Sequence, residues 1–237
     1  MTSGMETVWP AAGVLVRSGD LELRYLDDEL ALRLALLAAD GVHAPDFMPF
    51  TNPWTRGTPD EVARSVLQYQ WKLRSTFGPE AWALELAVLR DGEVLGIQGM
   101  YTEKFTLTRS GETGSWLGLR YQGQGVGTRM RLAVLHLLFE GLDAQRATTS
   151  AFADNGPSNA VTRRLGYREN GTDTAVREDA PVVSRRYVLE RADWDARPPE
   201  LRPPVELEGV GPLRAFLRLD GADGSGSAHT PSTTADD

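Results

Sequence analysis

Residues 115–128 read Ser115-Trp116-Leu117-Gly118-Leu119-Arg120-Tyr121-Gln122-Gly123-Gln124-Gly125-Val126-Gly127-Thr128. The pattern predicts a strand that enters a glycine-rich turn, and the turn opens an amphipathic helix over 126–140. The apolar side chains of that helix, at 126, 130, 133, 134, 137 and 138, share one face. Glycines let backbone N–H groups crowd around a diphosphate, and the helix dipole favours its negative charge. The stretch therefore predicts a phosphate-binding turn.

Three phosphate-binding motifs compete for this turn. A dinucleotide fingerprint needs Gly-x-Gly-x-x-Gly near the first strand of a βαβ unit, whereas this turn is Gly-x-Gly-x-Gly in mid-chain. A nucleotide P-loop needs Gly-Lys-Ser/Thr, which is missing here. The coenzyme A diphosphate loop has the pattern Gln/Arg-x-x-Gly-x-Gly, which Gln122, Gly125 and Gly127 match without gaps. A glycine-rich turn without a ligand stays open as the alternative.

The composition excludes several classes of protein and site. The chain has 237 residues and no apolar run long enough for a membrane span. It has no cysteine, which removes disulfides, thiolate metal sites and a cysteine nucleophile. His43, His136 and His229 are scattered, so we expect no metal. The net charge of −8 disfavours nucleic acid, and no signal-peptide pattern is present, so we expect a cytoplasmic protein.

Local patterns predict strands alternating with helices. Thr58-Pro59-Asp60-Glu61 starts a helix, because Thr58 can cap it and Glu61 completes a capping box. Asp91-Gly92 between two apolar runs predicts a tight hairpin. The predicted strands are 21–26, 82–90, 93–102, 104–109, 112–119, 146–152, 172–177 and 182–189, with 104–109 and 112–119 as a second hairpin. The predicted helices are 27–37, 58–77, 126–140 and 155–165.

This order predicts an α/β protein with a mixed, largely antiparallel sheet flanked by helices. Residues 1–196 form the predicted main domain. Arg197-Pro198-Pro199 and Arg202-Pro203-Pro204 mark a stiff connector in residues 197–220. After it, 205–210 and 213–219 form a small hairpin or edge appendage. Residues 221–237 have no large apolar side chain, so we expect a disordered tail.

A second motif follows one strand after the turn. Asn155-Gly156-Pro157-Ser158, then Leu165-Gly166-Tyr167, resembles the Asn-x-x-Ser…Gly-Phe/Tyr signature of GNAT acyltransferases. The resemblance implies the GNAT fold, with a sheet that splays where acyl-CoA binds. It implies cofactor contacts from Trp116, Leu117, Leu119, Gln122, Gly123, Gln124, Gly125, Val126, Gly127, Thr128, Asn155 and Ser158.

Other stretches narrow the resemblance to one branch. Gly41-Val42-His43-Ala44-Pro45-Asp46-Phe47-Met48-Pro49-Phe50, Pro53-Trp54-Thr55 and residues 114–128 resemble the GNAT enzymes that acetylate ribosomal-protein N-termini. They look most similar to a mycobacterial member described as a succinyltransferase. The resemblance implies transfer of an acetyl or succinyl group from acetyl-CoA or succinyl-CoA to a primary amine, without a metal. The acceptor is a protein N-terminus, a lysine or a small molecule, and we expect a homo-oligomer.

The resemblance also implies direct attack of the amine on the thioester. A backbone N–H of residues 116–119 would hold the oxyanion. Many relatives protonate the leaving thiolate with a tyrosine, but Thr162 stands at that position. Ser158 matches the donor of the ribosomal-protein branch. Because a serine hydroxyl is a poor acid, we expect a hydrogen bond to the thiolate; an ordinary first-turn helix residue is the alternative.

Three residues are candidates for the base. Glu112 at the start of the cofactor strand is the first choice, and Asp46 in the loop that should wall the acceptor pocket is the second. His43 can serve as the base or bind an acyl carboxylate. The side chains expected to line an apolar pocket, or else to belong to the core, are Phe47, Met48, Phe50 and Trp54.

A succinyl group would need a cation or N–H donors at its carboxylate, since an unpaired buried charge is costly. His43, Arg56 and Arg120 are the candidates, and the guanidinium of Arg56 can pair with a carboxylate in two places. Arg120 can instead serve coenzyme A phosphates. Two other functions stay open: a catalytically silent acyl-CoA-binding regulatory module, and a natural-product tailoring or resistance acetyltransferase.

Overall fold

The computed structural model describes residues 4–220, so the predicted tail at 221–237 lies outside the described residues. The strands in this part are β1 (Leu15–Ser18), β2 (Leu21–Tyr25), β3 (Ala81–Arg90), β4 (Glu93–Glu103), β5 (Ser110–Leu117), β6 (Arg146–Phe152), β7 (Arg168–Arg177), β8 (Ala180–Glu190) and β9 (Glu206–Glu208). The helices are α1 (Gly4–Val8), α2 (Asp28–Asp40), α3 (Pro59–Ser75), α4 (Phe105–Thr108), α5 (Val126–His136), α6 (Gly156–Arg164), α7 (Arg191–Asp195) and α8 (Val210–Phe216). A π-helical turn, Leu137–Gly141, extends α5.

All these strands belong to one sheet in the order β7-β8-β6-β5-β4-β3-β2-β1-β9. Neighbouring strands are antiparallel except β5 and β6, which run parallel and are connected through α5. The predicted α/β fold with a mixed, largely antiparallel sheet and flanking helices is therefore confirmed.

The two parallel strands pair only at their beginning. Their register runs from Ser110↔Arg146 to Glu112↔Thr148. One further hydrogen bond, from Thr149 Oγ1 to Thr113 O at 2.8 Å, closes this paired region. The later part of β5 has β4 as its partner, with Leu117 opposite Gly96. The sheet therefore splays between β5 and β6.

Short-range signals gave correct element boundaries. Glu61 N–H donates to Thr58 Oγ1 at 3.4 Å, and Thr58 N–H donates to Glu61 Oε2 at 2.7 Å, which is the predicted capping box of α3. Asp91 and Gly92 both have positive φ, 51° and 76°, as a tight hairpin turn requires. Gly166 ends α6 in the left-handed region at φ 87°.

The prediction of a strand at 104–109 is wrong. Phe105–Thr108 is a single helical turn, and the residues on either side of it, Lys104 and Arg109, have φ values of 51° and 45°. Phe105 is fully buried, with its ring centroid 5.4 Å from that of Trp82. This aromatic contact draws the segment inward, so β4 and β5 form one hairpin closed by a helical connection.

The C-terminal segment contributes an edge strand and a helix. β9 pairs with β1, with Leu207 opposite Val16. β1 was not predicted, because four residues give too short a pattern. The alternative of a hairpin with a strand at 213–219 is wrong, because Val210–Phe216 is the helix α8. Leu213 in α8 and Leu217 at its C-cap are four residues apart, a helical spacing, and both are fully buried. A domain boundary at residue 196 stays a prediction.

The core is continuous from the N-terminal strands to α8. It contains fully buried leucines from three elements, such as Leu34 on α2, Leu86 on β3 and Leu95 on β4. Trp194 on α7 is also fully buried and stacks on Phe139 at 5.2 Å. Within residues 4–220, no helix has both the length and the apolar character that a bilayer crossing requires.

Candidate functional site

The glycine-rich turn ends at the N-terminus of α5. Gly123 and Gly125 lie in the left-handed region at φ 72° and 79°, and a Cβ at either would meet no atom within 4 Å. The backbone hydrogen bond from Arg129 N–H to Gly125 O, at 3.3 Å, closes the first turn of α5. The preceding N–H groups, those of Val126, Gly127 and Thr128, therefore have no intrahelical acceptor. Open space and free donors at a helix N-terminus suit a diphosphate.

Two glutamine side chains shape this turn rather than face a ligand. Gln122 Nε2 donates to Val42 O at 2.6 Å and to Leu117 O at 3.0 Å. Gln124 Nε2 donates to Arg120 O at 2.8 Å. Gln122 thereby joins the turn to β5 and to the loop after α2.

A cavity of about 920 Å³ opens at the splayed part of the sheet. Its wall includes most of the residues that the sequence predicted for the strand, the α6 motif and the acceptor pocket. These are His43, Phe47, Phe50, Trp54, Glu112, Trp116, Leu117, Leu119, Gln122, Asn155 and Ser158. The turn residues Gly123, Gln124, Gly125, Val126, Gly127 and Thr128 lie outside this wall.

Three predicted pocket residues are not brought to the cavity. Arg56 is half-exposed, and its Nε and Nη2 donate to the two carboxylate oxygens of Glu178 at 2.6 and 3.1 Å. Asp46 is exposed and lies outside the cavity wall. Met48 is buried behind the wall and accepts a weak contact from Thr55 Oγ1 at 3.8 Å. The guanidinium fork of Arg56 is therefore already occupied.

Aromatic rings line the side of the cavity beneath the loop after α2. Ring centroids lie 5.1 Å apart for Phe50 and Trp54, and 5.5 Å apart for Trp54 and Trp116. His43 packs edge-on against Phe50 at 5.9 Å. Its Nδ1 lies 2.8 Å from Ala44 O and its Nε2 lies 2.6 Å from the Thr55 hydroxyl, so both ring nitrogens have a polar partner.

Strand geometry selects one backbone donor for the gap between β5 and β6. Gly118 N–H donates to Leu95 O at 2.9 Å, and Leu119 N–H donates to Gly41 O at 3.0 Å, so both are occupied. Peptide directions alternate along an antiparallel strand, so Trp116 N–H also faces β4 and Leu117 N–H faces the gap. Of the four predicted oxyanion donors, Leu117 is the one whose N–H points toward β6.

The N-terminus of α6 is capped as its sequence indicates. Asn155 Oδ1 accepts from Ser158 N–H at 3.2 Å, which leaves the Ser158 side chain on the cavity wall. Thr162 is buried, donates to Ser158 O at 2.9 Å and accepts from Arg131 Nη1 at 2.8 Å. Thr162 is therefore fully engaged and lies outside the cavity wall.

Arg131 is a cavity residue that the sequence analysis missed. It is only 5% exposed, and its Nη2 donates to Ser115 Oγ at 3.3 Å. Its Nε has no hydrogen-bond partner within residues 4–220, and no carboxylate in this part of the chain forms a salt bridge with the guanidinium. Burial lowers the pKa of the Arg131 guanidinium, but arginine starts so high that the charge remains.

A buried carboxyl, Glu85, was missed as well. It is 7% exposed and lines the cavity from β3. Gln70 Nε2 donates to its Oε2 at 3.1 Å, and the hydroxyl of Tyr101 donates to its Oε1. Burial raises the pKa of Glu85. Burial and the adjacent Glu85 charge raise the pKa of Tyr101 well above its ordinary value.

Glu112 occupies a different electrostatic environment. It lies where β5 and β6 begin to part, opposite Thr148, and its side chain is exposed although it borders the cavity. Ser150 Oγ donates to Glu112 Oε1 at 3.5 Å, a long contact. Three carboxyl groups therefore border the cavity: that of Glu85 is buried, that of Glu112 is exposed, and that of Asp154 is paired with Arg177 at 2.8 Å.

The family model described as an acetyltransferase (GNAT) domain matches residues 20–168. The chain belongs to the GNAT acetyltransferase family. Among curated proteins, this GNAT chain is 28% identical over 88 residues to YdaF of Bacillus subtilis (strain 168). YdaF is named as a ribosomal N-acetyltransferase, an assignment its name marks as unproven. The match covers 37% of this chain and 48% of YdaF, so the chain spans about half the length of that relative.

Solved structures have the same fold. A GCN5-related N-acetyltransferase from Brucella melitensis aligns with a TM-score of 0.62 and 19% identity, over 77% of this chain and 80% of that one. RimL, a ribosomal L7/L12 alpha-N-protein acetyltransferase solved with coenzyme A, aligns with a TM-score of 0.57 and 21% identity, over 73% of this chain and 95% of that one. The predicted GNAT fold is thereby confirmed. The likeness to a mycobacterial succinyltransferase stays a prediction.

Proposed function

We propose that this GNAT chain is an acyl-CoA-dependent N-acyltransferase that moves an acyl group directly to a primary amine. One observation carries the proposal: the anion-binding turn at α5 adjoins the cavity formed where β5 and β6 separate. Gln122 belongs to both, since it begins the turn and lines the cavity. A diphosphate held at the turn can therefore direct an acyl thioester into the cavity.

The diphosphate is held by backbone groups rather than by a cluster of cations. The N–H groups of Val126, Gly127 and Thr128 and the positive end of the α5 dipole supply the attraction. This suits a chain whose formal net charge is −8, because the binding energy comes from oriented local dipoles.

The amine nitrogen attacks the thioester carbonyl carbon, and the carbon–sulfur bond then breaks. Leu117 N–H stabilises the oxyanion of the tetrahedral intermediate. The Ser158 hydroxyl donates a hydrogen bond to the departing thiolate. Two carboxyl groups on the cavity wall, those of Glu112 and Glu85, are available to accept the proton that the amine loses.

The acyl group is acetyl or succinyl, and Arg131 favours succinyl. A buried guanidinium without a carboxylate partner carries a desolvation cost that a ligand carboxylate would offset. Arg131 lies next to Ser115 at the splay, where the acyl end of the donor is expected. Arg56, which the sequence favoured for this role, is paired with Glu178 instead. An acetyl group offers Arg131 no such partner.

The names of the relatives suggest a class of acceptor. YdaF is named as a ribosomal N-acetyltransferase, and RimL is named as a ribosomal L7/L12 alpha-N-protein acetyltransferase. We therefore propose the N-terminal amine of a ribosomal protein as the first acceptor to examine, with a lysine side chain and a small-molecule amine as alternatives.

A thiol-release assay tests the proposed function. Acetyl-, propionyl- and succinyl-CoA are crossed against a ribosomal-protein N-terminal peptide, lysine and polyamines. We expect amine-dependent thiol release with a matching mass increase on the amine. Coenzyme A binding without thiol release for any amine would instead make the chain a silent acyl-CoA-binding module. Release only with a natural-product amine would make it a tailoring or resistance enzyme.

A further inference from the structure

A buried polar cluster forms the wall of the cavity that lies away from the cofactor turn. Glu85 is the one charged side chain in the run 82–89 of β3, and every other member of that run is apolar. Its carboxyl accepts hydrogen bonds from Gln70 on α3 and from Tyr101 on β4. Neither strand nor helix needs a carboxyl here for its own backbone, so the placement requires another explanation.

The register of the sheet directs this carboxyl toward the acyl strand. Glu85 on β3 is opposite Gly99 on β4, and Gly99 is opposite Gly114 on β5. Directly paired residues share a face, and adjacent strands lie about 4.8 Å apart. A Cβ built on Gly99 would lie 2.5 Å from Glu85 Oε1 and 2.6 Å from the Tyr101 hydroxyl oxygen. The carboxyl therefore lies over Gly99, one strand away from β5.

Glycine at both paired positions makes room for the ring of Tyr101, whose hydroxyl reaches the Glu85 carboxyl. A Cβ on Gly114 would lie 3.2 Å from Tyr101 Cε2, so even alanine would crowd the ring beside the carboxyl. Gly114 directly precedes the part of β5 that carries Ser115, Trp116 and Leu117 on the cavity wall. Glu85 and Leu117, the proposed oxyanion donor, both line the cavity.

The charges around Glu85 leave it without a counter-ion. Tyr69 and Gln70 from α3 and Tyr101 from β4 are the titratable or polar groups nearest to it, and none is a cation. Glu112 on β5 adds a second negative charge to the wall, while Arg131 on α5 bonds to Ser115 and Thr162. Within residues 4–220, no arginine, lysine or histidine forms a salt bridge with Glu85.

We propose that Glu85 is the acceptor subsite: its carboxylate binds the ammonium group of a basic aliphatic amine and takes one of its protons. This rests on the proposed N-acyltransferase function and names the form in which the acceptor enters. The ammonium supplies the missing counter-ion, and the faces of Trp54 and Trp116 in the same cavity attract a cation further.

The proton balance is closed. Glu85 carboxylate takes a proton from R–NH3⁺ and leaves R–NH2, whose lone pair forms the new C–N bond. The C–S bond breaks, and the sulfur keeps its electron pair as thiolate. The amide nitrogen loses a second proton, one proton joins the thiolate, and one passes to solvent. The net reaction converts an ammonium and an acyl thioester to an amide, a thiol and a proton, and restores the Glu85 carboxylate.

The raised pKa of Glu85 suits this role. Burial makes its carboxylate a stronger base than an exposed glutamate, which brings its basicity closer to neutral pH. The site also discriminates between nucleophiles, because a neutral arylamine has no ammonium to bind and no proton to lose before attack.

The first test is Glu85→Gln, which keeps the size of the side chain. With the aliphatic amine that the wild type accepts, we expect kcat/KM for the amine to fall at least about 100-fold. Coenzyme A affinity, measured by calorimetry, should stay within about twofold and serves as the check on folding. Glu93→Gln is the control at an exposed position: Glu93 also accepts from a tyrosine hydroxyl, that of Tyr121, but lies 3.6 Å from the Arg120 guanidinium and outside the cavity. It should keep wild-type kinetics.

The second test is the pH dependence of kcat/KM in Tyr101→Phe, which applies even if Glu85→Gln does not fold. Loss of the hydroxyl removes a hydrogen bond that stabilises the carboxylate, so the pKa of Glu85 should rise. We expect the acidic limb of the profile to move to higher pH, while a purely structural Tyr101 would leave the limb in place.

Three results would overturn the assignment. The acidic limb of the Tyr101→Phe profile stays in place, kcat/KM of Glu85→Gln stays within about threefold of wild type, or the roughly 100-fold loss of kcat/KM occurs in Glu112→Gln instead. A wild type that releases no thiol with any amine would refute the proposed function itself, which keeps the two failures distinct.

Discussion

Arg131 Nη1 donates to Thr162 Oγ1 at 2.8 Å, and the same hydroxyl donates to Ser158 O at 2.9 Å. This relay connects a buried positive charge on α5 to the first turn of α6. Thr162 is engaged with Arg131 and lies outside the cavity wall, so of these two hydroxyl residues Ser158 is the one that borders the cavity. This end of the cavity thus contains a buried cation.

Arg131→Met should separate the two donors. Methionine keeps most of the volume and removes the charge. Acyl transfer should therefore slow more with a donor whose carboxylate binds the guanidinium than with acetyl-CoA. We expect kcat/KM for succinyl-CoA to fall about 10- to 100-fold more than that for acetyl-CoA, as suits a lost hydrogen bond to a charged group. Arg56→Met, whose parent side chain is paired with Glu178 outside the cavity, should leave the donor ratio unchanged. Equal losses with both donors, or a wild type that prefers acetyl-CoA tenfold, would count against succinyl.

Ser158→Ala should reduce turnover more than binding. If the hydroxyl donates to the developing thiolate, kcat falls about 10-fold or more while KM for acyl-CoA changes little. The helix cap survives, because it uses the backbone N–H of Ser158 and the side chain of Asn155. Asn155→Ala is the contrasting variant, expected to cost about 1 kcal/mol of stability. A Ser158→Ala defect confined to KM would make Ser158 a binding residue.

Gly209→Ala should destabilise the fold without affecting the cofactor. Gly209 lies at φ 71°, and a Cβ there would overlap Gly13 O and lie 2.8 Å from Val14 N. We expect a loss of at least about 2 kcal/mol and a melting temperature lower by about 4–8 °C. Gly211→Ala, with no atom within 4 Å of the added methyl, should melt at or above the wild-type temperature. Equal melting temperatures for the two variants would show that residues 206–216 do not stabilise the sheet.

Glu85→Gln should stabilise the protein increasingly as pH rises. Because the folded-state pKa of Glu85 is above its unfolded value, the native state binds more protons than the unfolded state between the two values. The free energy of unfolding of the wild type therefore falls as pH rises through this window, and the glutamine variant lacks this loss. Urea unfolding at pH 5 and pH 8 should give a larger advantage for the variant at pH 8. A pH-independent difference would contradict the buried, ionising carboxyl.

Local chemistry made much of the fold predictable. The capping box of Thr58 and Glu61, and the Asp91-Gly92 turn, depend on groups within three residues, so the sequence contains the whole interaction. The segment 104–109 depends on a residue far away in the sequence. Its alternating residues permit a strand, and the contact of Phe105 with Trp82 favours a helical turn instead. Tertiary contact overrides local pattern there.

The same distinction applies to the site. The turn at 122–128 is a contiguous motif and could be identified directly. Glu85 and Arg131 could not, because their partners come from other elements: Gln70 and Tyr101 for the first, Ser115 and Thr162 for the second. A weaker signal was present in both cases. Each is a charged residue within an apolar pattern, Glu85 in the β3 run and Arg131 three residues before Val134 on the apolar face of α5.

The most direct test of the proposed acyl-CoA site is a calorimetric titration of coenzyme A into wild type, Gly125→Asn and Gly125→Asp. Both side chains tolerate the left-handed backbone at this position, where φ is 79°, so the variants differ mainly in charge. With the diphosphate at the N-terminus of α5, Asn should weaken binding modestly, and Asp should weaken it at least about tenfold more while circular dichroism shows an intact fold. Equal affinities for the Asn and Asp variants would contradict a diphosphate at this turn.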